Sequence, residues 1–183
     1  MQLSLYRFET GLETIGGNRV AYDLDRGEAF FGAVTIDGPA LMWQVDPTDE
    51  DAEDALLSRP IRLDPYGDWI VRCDRVDFPL GGVAYRHTHP GPGIRYLLRG
   101  ELTIETEGRA AAYGAGGAWF ESGPDPVLAT ASQHLETAFV RAMILPAEWA
   151  GKRTIRYVDP ADEEKPKLQR PTVFLDHAIE LPR

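Results

Sequence analysis

Residues 81–108 read GGVAYRHTHPGPGIRYLLRGELTIETEG, and here metal-ligand spacing, strand alternation and glycine punctuation fall together. Successive side chains of a β-strand point to opposite faces, so His87 and His89 share one face and bring two imidazoles towards one point. By the same parity Tyr85 lines the same interior. Counting by twos from Gly93 places Arg95 on the inward face of the next strand. A guanidinium there needs a carboxylate such as Glu121, or an anionic ligand.

Working outward, the chain keeps this rhythm of short alternating segments broken by Gly and Pro. Strands are expected at 30–35, 40–45, 68–78, 83–88, 94–99, 101–106, 109–113, 117–121, 126–131, 135–145 and 153–158, an all-β profile. Within 68–78, Trp69, Val71 and Cys73 mark one face while Val76 and Phe78 have the opposite parity, which predicts a bulge near Asp74 and Arg75. A short acidic helix is expected after Asp46, with Asp46 as cap, Pro47 in the first turn, Asp49 near the positive dipole end and Pro60 as the stop. A second short turn is expected over Ala147 to Ala150. The segment from Asp162 to Arg183 mixes charge, three prolines and a β-like run TVFL. It reads as an extended arm over the barrel or over a partner subunit. No linker divides the chain, so one domain is expected over 1–183: an N-terminal extension of strands and one short helix (1–66), a barrel (67–159) and a C-terminal arm (160–183).

Composition narrows the function. The 183 residues carry 19 basic and 29 acidic side chains, a net charge of −10 that repels phosphate backbones and anionic lipid. Neither nucleic acid nor membrane is an expected partner. Cys73 is the single cysteine, so neither a disulfide framework nor a CxxC motif is available; its apolar neighbours make it a buried, inert thiol. The opening MQLSLYRFETG lacks a basic region followed by an apolar one, and a cytoplasmic location is expected. Asp23-x-Asp25-x-Gly27 has the start of a calcium loop, but its twelfth position is Val34, where a bidentate Glu is needed. Trp43, Trp69, Trp119 and Phe120 read first as core.

The stretch resembles the first motif of the cupins, with Gly81, His87, His89 and Gly100 in register and Gly93 where that family has a metal-binding Glu. GGAWFESGPDPVLATAS, residues 116–132, is similar in shape to the second cupin motif, whose His falls on Val127 or Leu128 and whose Asn falls on Ala131 or Ser132. The resemblance implies a double-stranded β-helix, the cupin jelly-roll barrel. It selects no activity, because that barrel hosts dioxygenases, isomerases, epimerases, decarboxylases and sensors. It also implies a metal centre of which His87 and His89 remain. A working site normally has at least three protein ligands, and Glu121, Asp125, His134 and Glu136 are the candidate replacements. Gln133-His134 reads as a hairpin turn, which puts His134 at the rim.

These readings converge on a barrel that binds a small polar or anionic metabolite at Tyr85, His87, His89, Arg95 and Trp119. Three versions stand open. His87 and His89 hold one divalent transition metal, Fe, Zn, Ni or Mn, in a dioxygenase- or isomerase-type enzyme. Alternatively, without metal, a neutral histidine handles protons while Arg95 steadies negative charge. In the third, the barrel is a metal-free sensor or sequestering protein. Edge strands and extended segments at both ends suit a homodimer.

Overall fold

From Trp69 onward, successive strands alternate between two facing sheets, except for the β9–β10 hairpin, which stays within one of them. The computed structural model describes residues 1–47 and 52–181. The ten strands of this part are β6 (Trp69–Phe78), β7 (Val83–Thr88), β8 (Gly93–Arg99), β9 (Glu101–Thr106), β10 (Arg109–Gly114), β11 (Ala118–Glu121), β12 (Val127–Ala131), β13 (Thr137–Pro146), β14 (Arg156–Tyr157) and β15 (Arg170–Ala178). One five-stranded antiparallel sheet runs β11-β8-β13-β6-β15 and the other β10-β9-β12-β7-β14. This winding is the double-stranded β-helix of the cupin jelly roll, the fold that the first motif implied. Its inner cluster includes Val76, Phe78, Ala84, Leu97, Ile104, Trp119, Val127, Ala129 and Phe139, all buried.

Before the barrel come β1 (Gln2–Phe8), β2 (Leu12–Asp23), β3 (Glu28–Ile36), β4 (Ala40–Asp46) and β5 (Leu57–Pro60), which form a third sheet in the order β3-β2-β4-β1-β5. Leu3, Leu5, Val20, Tyr22, Leu41 and Trp43 from this sheet pack on Val71, Cys73, Ile94, Val140, Ala142 and Ile144, and Trp43 Nε1 donates to Ile94 O at 3.0 Å. The sheet of β8, β13 and β6 is therefore the middle layer, with a core on each face.

That layering corrects the expected bulge in β6. Its register with β13 runs unbroken from Phe78↔Thr137 to Trp69↔Pro146. The two parities are two real cores: Val71 and Cys73 meet the N-terminal sheet, Val76 and Phe78 the barrel interior. The irregularity at this level belongs to β15, between Val173 and Leu175. The helix expected after Asp46 is also corrected. Asp46 closes β4 by pairing with Gln2, and Leu57–Pro60 pair with β1, so ladder bonds replace the cap and the last turn. Residues 48–51, which include Asp49, lie outside the described residues.

Asp23 and Asp25 belong to the β2–β3 turn, where Asp23 Oδ1 accepts from the backbone N–H groups of Asp25 and Arg26 at 2.9 Å. The expected turn at 147–150 is a single 3-10 turn, Ala147–Trp149. The TVFL run lies in β15, which pairs with β6 of its own chain.

Candidate functional site

A bulge in β7 decides which side chains enter the barrel. Opposite β12, Val127 pairs with His87 and Ala129 with Ala84, so two steps on β12 match three on β7. The extra residue reverses the parity upstream of His87. Ala84, His87 and His89 face inward and are buried, whereas Tyr85 turns out and lies beneath Lys165, whose Nζ is 4.8 Å from its ring centroid. Tyr85 is thus removed from the predicted interior set. Its main-chain oxygen still matters: it lies 2.6 Å from His87 Nδ1.

A carbonyl only accepts, so His87 Nδ1 carries the proton and Nε2 presents a lone pair. On the other side, Arg141 Nη1 lies 3.2 Å from His89 Nε2, and a guanidinium only donates, so that Nε2 is also an acceptor. The two Nε2 atoms stand 3.2 Å apart, with ring centroids 4.8 Å apart and planes nearly perpendicular. Two acceptors in contact form no hydrogen bond, which leaves His87 Nε2 without a donor. Burial holds His87 below the ordinary histidine range, partly opposed by the Tyr85 carbonyl and by Glu121. Burial, reinforced by the positive charges of Arg141 and Arg95, pushes His89 well below it.

Behind the histidines stand buried arginine–carboxylate pairs on the middle sheet. Arg141 donates Nε to Asp74 Oδ1 at 2.7 Å and Nη2 to Asp74 Oδ2 at 3.1 Å, a bidentate fork across the β13–β6 ladder. Arg95, with 0% of its surface exposed, faces Glu121 Oε2 at 2.6 Å, the carboxylate partner that its inward position called for. Burial lowers its guanidinium to about 10 against the pull of Glu121, which still leaves it charged at neutral pH. Trp119 Nε1 donates to Glu121 Oε1 at 2.9 Å, and its ring stacks on Tyr113 at 4.9 Å and meets Phe139 edge-on at 5.4 Å. Nearer the mouth, Arg72 forks onto Asp176 at 2.6 Å and donates to Lys152 O at 2.6 Å.

A cavity of about 490 Å³ opens in front of this array, bounded by His87, His89, Glu121, Asp74 and Arg141, by apolar side chains behind and by Lys152, Arg153, Tyr157 and Lys167 at the mouth. Of the five residues expected in the site, His87 and His89 line it. Arg95 and Trp119 sit one layer back, orienting Glu121, and Tyr85 is outside. Sequence reasoning missed Asp74 and Arg141 as a pair. The available signal was a charged residue in each of two apolar strands, 68–78 and 135–145, at positions that a long antiparallel register could bring face to face.

The residues do not fit the metal that the cupin resemblance implies. Val127 lines the cavity and pairs with His87 while Leu128 points away, so the second-motif histidine position is occupied by valine. At Gly93 a Cβ would stand 2.6 Å from Ala142 O and 2.8 Å from Met143 Cγ, so the acid's position has no room for a side chain. The His89 lone pair is already met by the Arg141 cation. Among the described residues, no three His, Cys, Asp or Glu side chains are grouped to hold a metal ion.

No protein-family model matches the chain, and no curated protein matches it either. Among solved structures it is similar to an RmlC-like cupin from Shewanella frigidimarina, at 18% identity and a TM-score of 0.39, over 43% of this chain and 68% of that one. It is also similar to KdgF from Halomonas sp., at 25% identity and a TM-score of 0.36, over 44% and 70%. A salicylate 1,2-dioxygenase from Pseudoaminobacter salicylatoxidans, solved with gentisate, aligns over 94% of this chain and 68% of its own, at 8% identity and a TM-score of 0.44.

Proposed function

We propose that this barrel binds a small polar or anionic metabolite directly through its side chains, without a resident metal. The observation that carries this reading is the His87 imidazole: buried, held neutral, fixed through Nδ1, and presenting an unmatched Nε2 acceptor to the barrel cavity. A buried acceptor with no donor is costly, and a ligand O–H or N–H removes that cost. Electrostatics supports an anion. The chain as a whole is acidic, yet the lining arginines Arg72, Arg141 and Arg153 are matched by Asp176, Asp74 and Glu163, while Lys152 and Lys167 at the mouth have no carboxylate partner among the described residues.

Elemental analysis of untagged protein purified without chelator tests the metal-free part. The expected result is far less than one metal per chain and no saturable uptake of Zn²⁺, Fe²⁺, Ni²⁺ or Mn²⁺. Stoichiometric metal that is lost in His87→Ala overturns the reading and restores the metalloenzyme. For binding itself, small carboxylates are expected to raise the melting temperature of the wild type and to have no effect on Ala129→Trp, which fills the cavity.

The same fixed lone pair favours a catalytic version, in which His87 Nε2 accepts a proton from bound ligand beside the Arg141 guanidinium. Proton exchange from ligand carbon into D₂O, followed by NMR and abolished in His87→Gln, is the expected sign. Binding without exchange marks a sensor or a sequestering protein.

A further inference from the structure

The cavity changes chemistry from floor to mouth. Its floor is hydrocarbon, made by Val76, Phe78, Ala84, Ile104, Ala129 and Phe139. Midway stands the His87 Nε2 acceptor. Outward of it comes Tyr157, whose ring meets the His87 ring edge-on at 6.4 Å and carries the Lys167 ammonium 4.4 Å above its centroid. Lys167 Nζ donates only to the main-chain oxygens of Asp162 and Lys165, and neither it nor Lys152 is ion-paired among the described residues. Gln169, also lining this end, keeps a buried Oε1 with no hydrogen-bond partner. The lining arginines carry neutralising carboxylates; among the described residues, Lys152 and Lys167 are the cavity-lining cations without one.

We infer that the ligand is an amphipathic hydroxy acid: a hydrocarbon tail on the floor, a hydroxyl donating to His87 Nε2, and a carboxylate towards Lys152 and Lys167. This deepens the binding role proposed above and rests on it. The arrangement reverses the simplest expectation for an inward arginine. Arg95 is spent on Glu121, so the acid group is held at the entrance while the floor excludes water. Tails of several carbons suit a volume of about 490 Å³ with apolar walls.

Isothermal titration of the full chain with five probes tests this. 3-Hydroxyoctanoate is expected to bind most tightly. Octanoate, which lacks the donor, should be weaker by about tenfold. 1,3-Octanediol, which lacks the charge, should lose a similar factor, and 3-hydroxybutyrate, four methylenes shorter, about a hundredfold. Glucose 6-phosphate should not bind. Lys152→Ala/Lys167→Ala should erase the preference for acid over diol, and His87→Phe the preference for 3-hydroxyoctanoate over octanoate. If the short acid or the sugar phosphate binds as well as 3-hydroxyoctanoate, the amphipathic assignment is overturned and the binding role stands. An acid preference that survives loss of both lysines also overturns it. Binding by none of the five overturns both. The wild-type series decides the matter even where a variant fails to fold.

Discussion

Glu121 is held by two partners: the Arg95 guanidinium at 2.6 Å and Trp119 Nε1, which donates at 2.9 Å. Removing its charge leaves the Arg95 cation buried without compensation, so Glu121→Gln is expected to cost about 3 kcal/mol in urea denaturation. Arg95→Met/Glu121→Leu, which removes both charges, should recover most of that loss. The histidines set a pH dependence. Both hold a proton less tightly when folded than the ~6.5 of an unfolded histidine, so the unfolded chain binds more protons below that value. Their contribution to stability is complete above about pH 6.5 and is lost progressively as pH falls from there towards the folded values. Denaturation midpoints between pH 7 and 5.5 should fall more steeply for the wild type than for His87→Gln/His89→Gln. At this scale the imidazole pair was legible, because alternation over two residues is local. Tyr85 was misplaced because the inserted residue lies between it and His87, and a bulge is set by the partner strand rather than by the strand's own letters.

At the scale of elements, the loop from His89 to Gly93 crosses the barrel end so closely that a Cβ at Gly91 would overlap the Ile144 carbonyl. Gly93→Glu, the substitution that restores the first cupin motif, should therefore destabilise by about 1–3 kcal/mol through overpacking and create no Zn²⁺ site. Thermal melting with and without Zn²⁺ checks both parts. The barrel strands could be read from the sequence because Gly and Pro mark their ends. Three N-terminal strands could not. In β1 the second face carries Gln2 and Ser4, both buried, which hides the usual contrast between inside and outside. β2 is interrupted by Gly16 and Gly17 and shifts register between Ile15 and Val20. β5 is only four residues long, and the proline taken as a helix stop pairs with Gln2. In β6, opposite parities looked like a defect because a third layer was not anticipated; a strand buried on both faces has no polar side to count from.

The whole molecule is joined by β15, which serves two neighbours. Pro171 and Val173 border the cavity, while Phe174 packs on Tyr22 at 5.6 Å and His177 stacks on Phe31 at 3.7 Å, fastening the N-terminal sheet. Just beyond, Asn18 Oδ1 accepts from the Glu180 backbone N–H at 3.0 Å. A chain ending at Leu168 should lose both functions at once. The edge of β6 would lie open, so light scattering is expected to show self-association, and cavity ligands should no longer raise the melting temperature. The order of synthesis follows from the same strand. While residues 170–178 are still inside the ribosome, β6 is paired on one side only and the chamber has a missing wall. Until β15 docks on β6, the cavity lacks the side formed by Pro171 and Val173.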